Sequence, residues 1–182
     1  MAFKDEILTF EDNKILDELN NEVMMQWEAP IMEKCAEFIS HNNGDVLEIG
    51  FGMGICSDYI QSQSVNSHTI IEIHPQIIVK LKEWANGKSN VNIIEGDWNS
   101  VEGLGSYDGI FIDTYGDPNW TSFKTFALAK AKSNCKITYW NNFSDQRNEH
   151  NFDNLTFEQI NVSADSNSYF NNNVYDMPKV EL

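Results

Sequence analysis

The stretch DVLEIGFGMGIC, Asp45 to Cys56, decides the fold. Val46 to Ile49 is a short apolar run interrupted only by Glu48, as a strand covered on both faces requires. Gly50, Gly52 and Gly54 follow at once, and glycines let a backbone turn sharply and approach a ligand closely. A helix is expected from Ile55, with its first N–H groups facing whatever the loop holds. A glycine turn without a ligand would leave the same trace, so the neighbouring strands have to decide.

Downstream the same grammar repeats. Apolar runs at Asp45 to Ile49, Thr69 to Ile73, Val91 to Ile94, Tyr107 to Ile112 and Lys136 to Trp140 read as strands, with helices after the first, second and fourth. Leu155 to Ser163 and Val174 to Val180, joined by the polar, asparagine-rich stretch Asp165 to Asn173, read as a terminal antiparallel hairpin around an exposed turn. The link from Trp140 to Leu155 is short for a crossover helix. Upstream, Ile15, Leu16, Leu19, Val23, Met24, Trp27, Ile31, Cys35 and Phe38 recur at helical intervals, so the first forty residues are expected to be helical. Pro30 should break that helix near Glu28 and open a second one. The whole is an α/β chain: a Rossmann-like, doubly wound, seven-stranded, mostly parallel sheet with a C-terminal antiparallel hairpin and an N-terminal helical cover.

Composition bounds the partners. With 182 residues, 41% of them hydrophobic and 12% aromatic, the chain has apolar surface for one core. Twelve basic against 28 acidic residues give a formal charge of −16, which disfavours nucleic acid and membrane surfaces and suits a cationic ligand. Arg147 is the sole arginine, so bidentate phosphate recognition is poorly served. Cys35, Cys56 and Cys135 form no CxxC pair, and His41, His68, His74 and His150 are scattered. No disulfide framework and no metal site are expected, and a reducing, cytoplasmic setting fits. Met1 to Phe10 has no signal-peptide core, and no apolar run is long enough to span a bilayer.

Candidate site residues gather at successive strand ends, where open α/β sheets bind ligands. Glu72 ends the second strand about twenty residues after the glycine loop, where such folds place a carboxylate on ribose hydroxyls. Asp97 and Trp98 end the third, able to accept from an adenine amino group and to pack on a base, although Trp98 serves equally well as a core aromatic. Asp113 ends the fourth and should project over the reactive end of a cofactor, unless it merely caps the turn. Glu28 shares a helical face with Met24, Ile31 and Met32, so its carboxylate either turns to water at the Pro30 break or meets a buried cation.

With VLEIGFGMG, Glu72 and GDW in view, the chain resembles the class I S-adenosylmethionine-dependent methyltransferases. The loop departs from G-x-G-x-x-G, which speaks against a nicotinamide enzyme. Adding VMMQWEAPIM and YDGIFIDTY, the stretch from Asn21 to Phe143 is similar to guanidinoacetate methyltransferase and the related arginine δ-N methyltransferases, HPQ after Glu72 favouring the second branch. The resemblance implies a single methyltransferase domain over residues 1–182, with a cover over 1–42, a cofactor-binding core over 45–140 and a hairpin over 155–182. It implies S-adenosylmethionine as cofactor, held by Met24, Met32, Gly50, Phe51, Gly52, Met53, Gly54, Ile55, Cys56, Glu72, Ile73, His74, Asp97, Trp98, Asn99 and Asp113. It places Glu28 and Asp113 on the acceptor guanidinium as catalytic residues, and backbone around Asn142 and Phe143 on the acceptor's carboxylate.

The chemistry is coherent on its own terms. A guanidinium and a sulfonium are both cations, so paired carboxylates would offset their repulsion, orient one nitrogen for in-line attack and let Asp113 take its proton, without metal or covalent intermediate. Against that family the chain has a shorter N-terminal segment, no ankyrin-like region, AKSNCK where LKPGG is usual and a shorter region after Phe143, so a more open acceptor pocket is expected. Two alternatives stand beside this reading: transfer to an amine or polyamine, and a protein that binds S-adenosylmethionine without turning it over.

Overall fold

Val46 and Leu47 are adjacent and both wholly buried, which requires helices on both faces of their strand. The computed structural model, describing residues 2–143 and 145–182, supplies them. Strand β4 (Asp45–Ile49) leads into α2 (Ile55–Ser62), β5 (Ser67–Glu72) into α3 (Pro75–Ala85), and β7 (Tyr107–Ile112) into α4 (Phe123–Lys130). The sheet is completed by β6 (Val91–Glu95), β8 (Ala131–Tyr139), β9 (Leu155–Asn161) and β10 (Val174–Glu181). Its order is β6-β5-β4-β7-β8-β10-β9. The first five strands in that order pair in parallel, and β10 pairs antiparallel with both β8 and β9. Strand order reverses direction at β4, so the crevice for a ligand lies beyond the carboxyl ends of β4, β5 and β7.

Alternation along the strands divides the core. Val46 and Phe111 pack with α1 (Ala29–Ile39) and α2 through Ile31, Cys35, Ile39 and Ile60. Leu47, Ile49, Ile110 and Ile112 pack on the other face against Phe123 and Ala127 of α4. Helix α1 approaches β7 closely because Gly109 has no side chain: a Cβ there would lie 2.0 Å from the Ile39 carbonyl oxygen. Gly109→Ala should therefore force helix and sheet apart and cost about 1–3 kcal/mol of stability in denaturant unfolding, with the unfolding slope unchanged.

The helical reading of the first forty residues holds only over Ala29–Ile39. Residues before it form a three-stranded antiparallel sheet of β1 (Thr9–Phe10), β2 (Lys14–Leu16) and β3 (Glu22–Met25). Asp17 is the physical reason. Its carboxylate accepts from the backbone of Leu19 and Asn21 at 2.8 Å each and from the Asn21 amide at 2.8 Å, closing the β2–β3 turn with bonds a helix could not use. The break near Pro30 falls as expected, with a 3-10 turn at Gln26–Glu28 and Pro30 in the first turn of α1. Glu28 sits at that joint.

Candidate active site

The β4–α2 turn is built on positive backbone angles, φ +90° at Gly50, +55° at Gly52 and +78° at Gly54. Two of these positions also need the missing side chain. A Cβ on Gly50 would stand 1.9 Å from the Asp113 carbonyl oxygen, and one on Gly52 would stand 2.4 Å from Met24 Sδ. That sulfur accepts from the Met53 N–H at 3.2 Å, so β3 lies directly on the loop.

Glu72 ties the loop to the end of β5. Its Oε2 accepts from Phe51 N at 2.9 Å, and its Oε1 from the backbone of Ile73 and His74 at 2.8 Å each. Burial pushes the carboxyl up, against the pull of those donors. At the end of β6, Asp97 accepts from Asn99 N at 2.9 Å and from the Asn119 amide at 3.0 Å. Trp98 is buried and stands edge-on to Phe126 at 4.9 Å, while its indole N–H donates to Asp117 at 2.7 Å. It is a core aromatic with one edge on the crevice.

These groups enclose a cavity of about 550 Å³, within the range of small-molecule sites. Of the residues expected around a cofactor, Met24, Met32, Gly50, Phe51, Gly52, Cys56, Glu72, Ile73, Asp97, Trp98 and Asp113 line it. Met53, Gly54, Ile55, His74 and Asn99 do not. Gly54 and Ile55 shape the loop and start α2. Met53 reaches the site only through its N–H on Met24, and Asn99 only through its N–H on Asp97. His74 caps α3, accepting from Gln76 N at 3.2 Å, and its Nε2 donates to the Glu6 carbonyl oxygen at 3.2 Å. Burial lowers its pKa.

Sequence reasoning passed over several lining residues. Phe3 and Glu6 border the cavity from the N-terminal segment, Phe3 packing on His74 at 4.9 Å and Tyr115 at 5.2 Å between ring centres. Tyr115 in turn donates to Asp17 at 3.0 Å, fastening the small sheet over the mouth. Asp117 and Asn119 hold Trp98 and Asp97, and the DPN turn was their only signal. Glu48 is the chief omission. Wholly buried, it accepts from Ser57 Oγ at 2.5 Å and lies 2.8 Å from His68 Nε2, both at its Oε2. Its Oε1 has no hydrogen-bond partner among the described residues, and the residue lines the cavity.

The two acids assigned to the acceptor come from distant segments. Asp113 lines the cavity at the end of β7, its pKa raised by burial and then by the charge of Glu48. Glu28 is 3% exposed and lies outside the cavity lining. Burial raises its pKa first and the charge of Asp113 second. Glu28 Oε1 accepts from Met25 N at 2.6 Å and from the Tyr169 hydroxyl at 2.7 Å. Tyr169, from the turn between β9 and β10, thus stands over Glu28. Asn142 is exposed and its amide reaches Glu149 at 3.4 Å, while the Phe143 N–H donates to Asn141 Oδ1 at 3.0 Å. Neither residue lines the cavity.

Strand order, glycine turn and strand-end acids define a nucleoside-binding α/β fold of the class I methyltransferase type. The chain belongs to the guanidinoacetate N-methyltransferase family, whose model matches residues 2–176. It is 38% identical over 132 residues to protein arginine N-methyltransferase 2 of Aspergillus oryzae, covering 68% of this chain and 32% of that protein. It is 35% identical over 130 residues to protein arginine N-methyltransferase 2 of Saccharomyces cerevisiae, covering 64% and 30%. The chain therefore matches about a third of the length of these relatives. Among solved structures, spermidine synthase of Thermotoga maritima shares the fold with a TM-score of 0.68 at 14% identity, over 96% of this chain and 72% of that one. Precorrin-6y C5,15-methyltransferase of Geobacter metallireducens does so with a TM-score of 0.63 at 15% identity, over 86% and 88%. No helix among the described residues is long and apolar enough to cross a membrane.

The residues present fit S-adenosylmethionine. Gly50 and Gly52 line the cavity with bare backbone, and the buried Glu48 Oε1 beside them has no hydrogen-bond partner among the described residues. An acceptor of that kind suits a ligand carrying positive charge.

Proposed function

We propose that the protein transfers a methyl group from S-adenosylmethionine to a nitrogen of a guanidino compound. One observation carries this reading: two carboxyls from segments 85 positions apart (113 − 28) are both buried, Asp113 lining the cavity and Glu28 3% exposed with its pKa raised by burial and then by the charge of Asp113. Two buried carboxyls in one place are costly unless a cation joins them. The family is named for guanidinoacetate and its relatives for protein arginine, both compounds that carry a guanidino group, which supports that cation.

Bound in the cavity, S-adenosylmethionine would supply a methyl group on a positively charged sulfur. The chain's own residues then have separable tasks. Glu72 and the Asp97–Asn119 pair hold the nucleoside end, and Gly50 and Gly52 let the backbone approach. Glu48 offers its unpartnered Oε1 to the ligand's positive charge. Glu28 fixes the acceptor guanidinium, and Asp113 accepts the proton that the attacking nitrogen gives up as its bond to carbon forms.

The test is a product assay with S-adenosylmethionine and guanidinoacetate, free arginine, an arginine peptide and putrescine. S-adenosylhomocysteine should form with at least one guanidino compound and not with putrescine, with mass spectrometry placing the methyl on a guanidino nitrogen. Transfer to putrescine alone, or to none of these, would overturn the reading. A second expectation concerns pH. Both acids hold their protons above the usual carboxylate range, so kcat/KM should keep rising through neutral pH, since it reports the free enzyme's ionisations. A plateau already reached at pH 5 would contradict it.

A further inference from the structure

Tyr169 belongs to the asparagine-rich turn between β9 and β10, which the sequence presents as a simple exposed loop. The structure gives that turn a definite seat. Asn167 Oδ1 accepts from the backbone of Tyr169 at 3.0 Å and Phe170 at 2.6 Å, a local ring that sets the direction of both side chains. Phe170 stacks on Trp27 at 5.3 Å between ring centres, and Ser168 Oγ donates to Glu22 at 2.5 Å. Tyr169 lies between Trp27 at 5.9 Å and Trp140 at 6.3 Å, and its hydroxyl donates to Glu28 Oε1. It is itself 39% exposed, whereas Glu28 beneath it is 3% exposed.

We propose that Tyr169 is a positioning residue for the acceptor acid: its hydroxyl and the Met25 N–H fix Glu28 Oε1, leaving Oε2 to meet the guanidinium. The proposal rests on the reading of Glu28 as the acceptor clamp and adds how that clamp is oriented and kept ionisable.

The groups facing Glu28 make the prediction directional. Asp113 from β7 raises it, Tyr169 and the Met25 N–H lower it, and Tyr175 from β10 is in electrostatic range of it. Burial and Glu28 push Tyr169 far above its usual range, so it remains a donor throughout the working pH. Deleting the hydroxyl removes a hydrogen bond to the charged form and must move the Glu28 ionisation upward.

The experiment compares pH profiles of kcat/KM for the wild type, Tyr169→Phe and Glu28→Gln on a guanidino acceptor. Calorimetric S-adenosylhomocysteine affinity and thermal melts serve as controls of folding. For Tyr169→Phe the rising limb should move up by about one pH unit, lowering kcat/KM about tenfold at pH 7 and recovering at high pH. Affinity for S-adenosylhomocysteine should stay unchanged. A profile superimposed on the wild type, or a loss equal at every pH, overturns the role of Tyr169 while a Glu28→Gln loss keeps the clamp. Full activity of Glu28→Gln would instead remove the clamp reading itself.

Discussion

Glu28→Gln and Asp113→Asn should each lower kcat/KM for a guanidino acceptor by about 10²–10⁴-fold, in line with the loss of an acid–base group or a charge clamp. Affinity for S-adenosylhomocysteine should change little, above all for Glu28→Gln, because Glu28 lies outside the cavity lining. The same substitution should stabilise the ligand-free protein. Glu28 has its folded-state pKa raised by burial and by Asp113, so its contribution is complete at pH below the ordinary carboxylate value. As pH climbs toward the raised value, the unfolded chain ionises freely while the folded one cannot, and stability is lost. Glutamine has no charge to bury, and its amide oxygen can still accept from Met25 N and Tyr169. Glu28→Gln should then melt higher at pH 8 by a few degrees, about 2–4 °C for each kcal/mol recovered, and show no gain at pH 4. Near-normal turnover with an unchanged melting profile would show that the two acids do not form a functional pair.

Much of this was legible in the sequence, and the failures have identifiable causes. The βα alternation is readable because β4 and β7 are buried on both faces, β6 adds a short apolar run, and the three end in turns marked by Gly50, Asp113 and Gly96. The sequence of Thr9–Met25 reads as helix because β1, β2 and β3 are only two to four residues long, too short to display a period of two. A register shift between Ile15 and Leu16 also buries both, imitating a helical face. Glu48 escaped notice since an acid within a buried strand has no spacing signature, only its partners Ser57 and His68 in space. Tyr169 was out of reach for a different reason: 141 positions separate it from Glu28, and nothing in a polar turn announces the helix joint it will cover.

Gly50→Ala is the substitution expected to remove ligand binding and catalysis together. Gly50 is pinned from both sides, donating its N–H to the Ile71 carbonyl at 2.9 Å while Asp113 N donates to the neighbouring Ile49 carbonyl at 2.9 Å. Its φ of +90° strains any side chain, and the new Cβ would lie 1.9 Å from the Asp113 carbonyl oxygen. Relief requires moving either the glycine turn or the backbone that carries Asp113. Each movement displaces both, because the two strand ends share these hydrogen bonds. Misplacement of about 1 Å at such a site costs on the order of 10²-fold, so S-adenosylhomocysteine affinity and kcat/KM should both fall by at least about that factor. Gly87→Ala separates strain from collision, since Gly87 has φ +82° but a Cβ there would meet nothing within 4 Å. It should cost about 1 kcal/mol of stability and leave ligand affinity intact. If Gly50→Ala bound S-adenosylhomocysteine as tightly as Gly87→Ala does, the glycine turn would not be the floor of the nucleoside site.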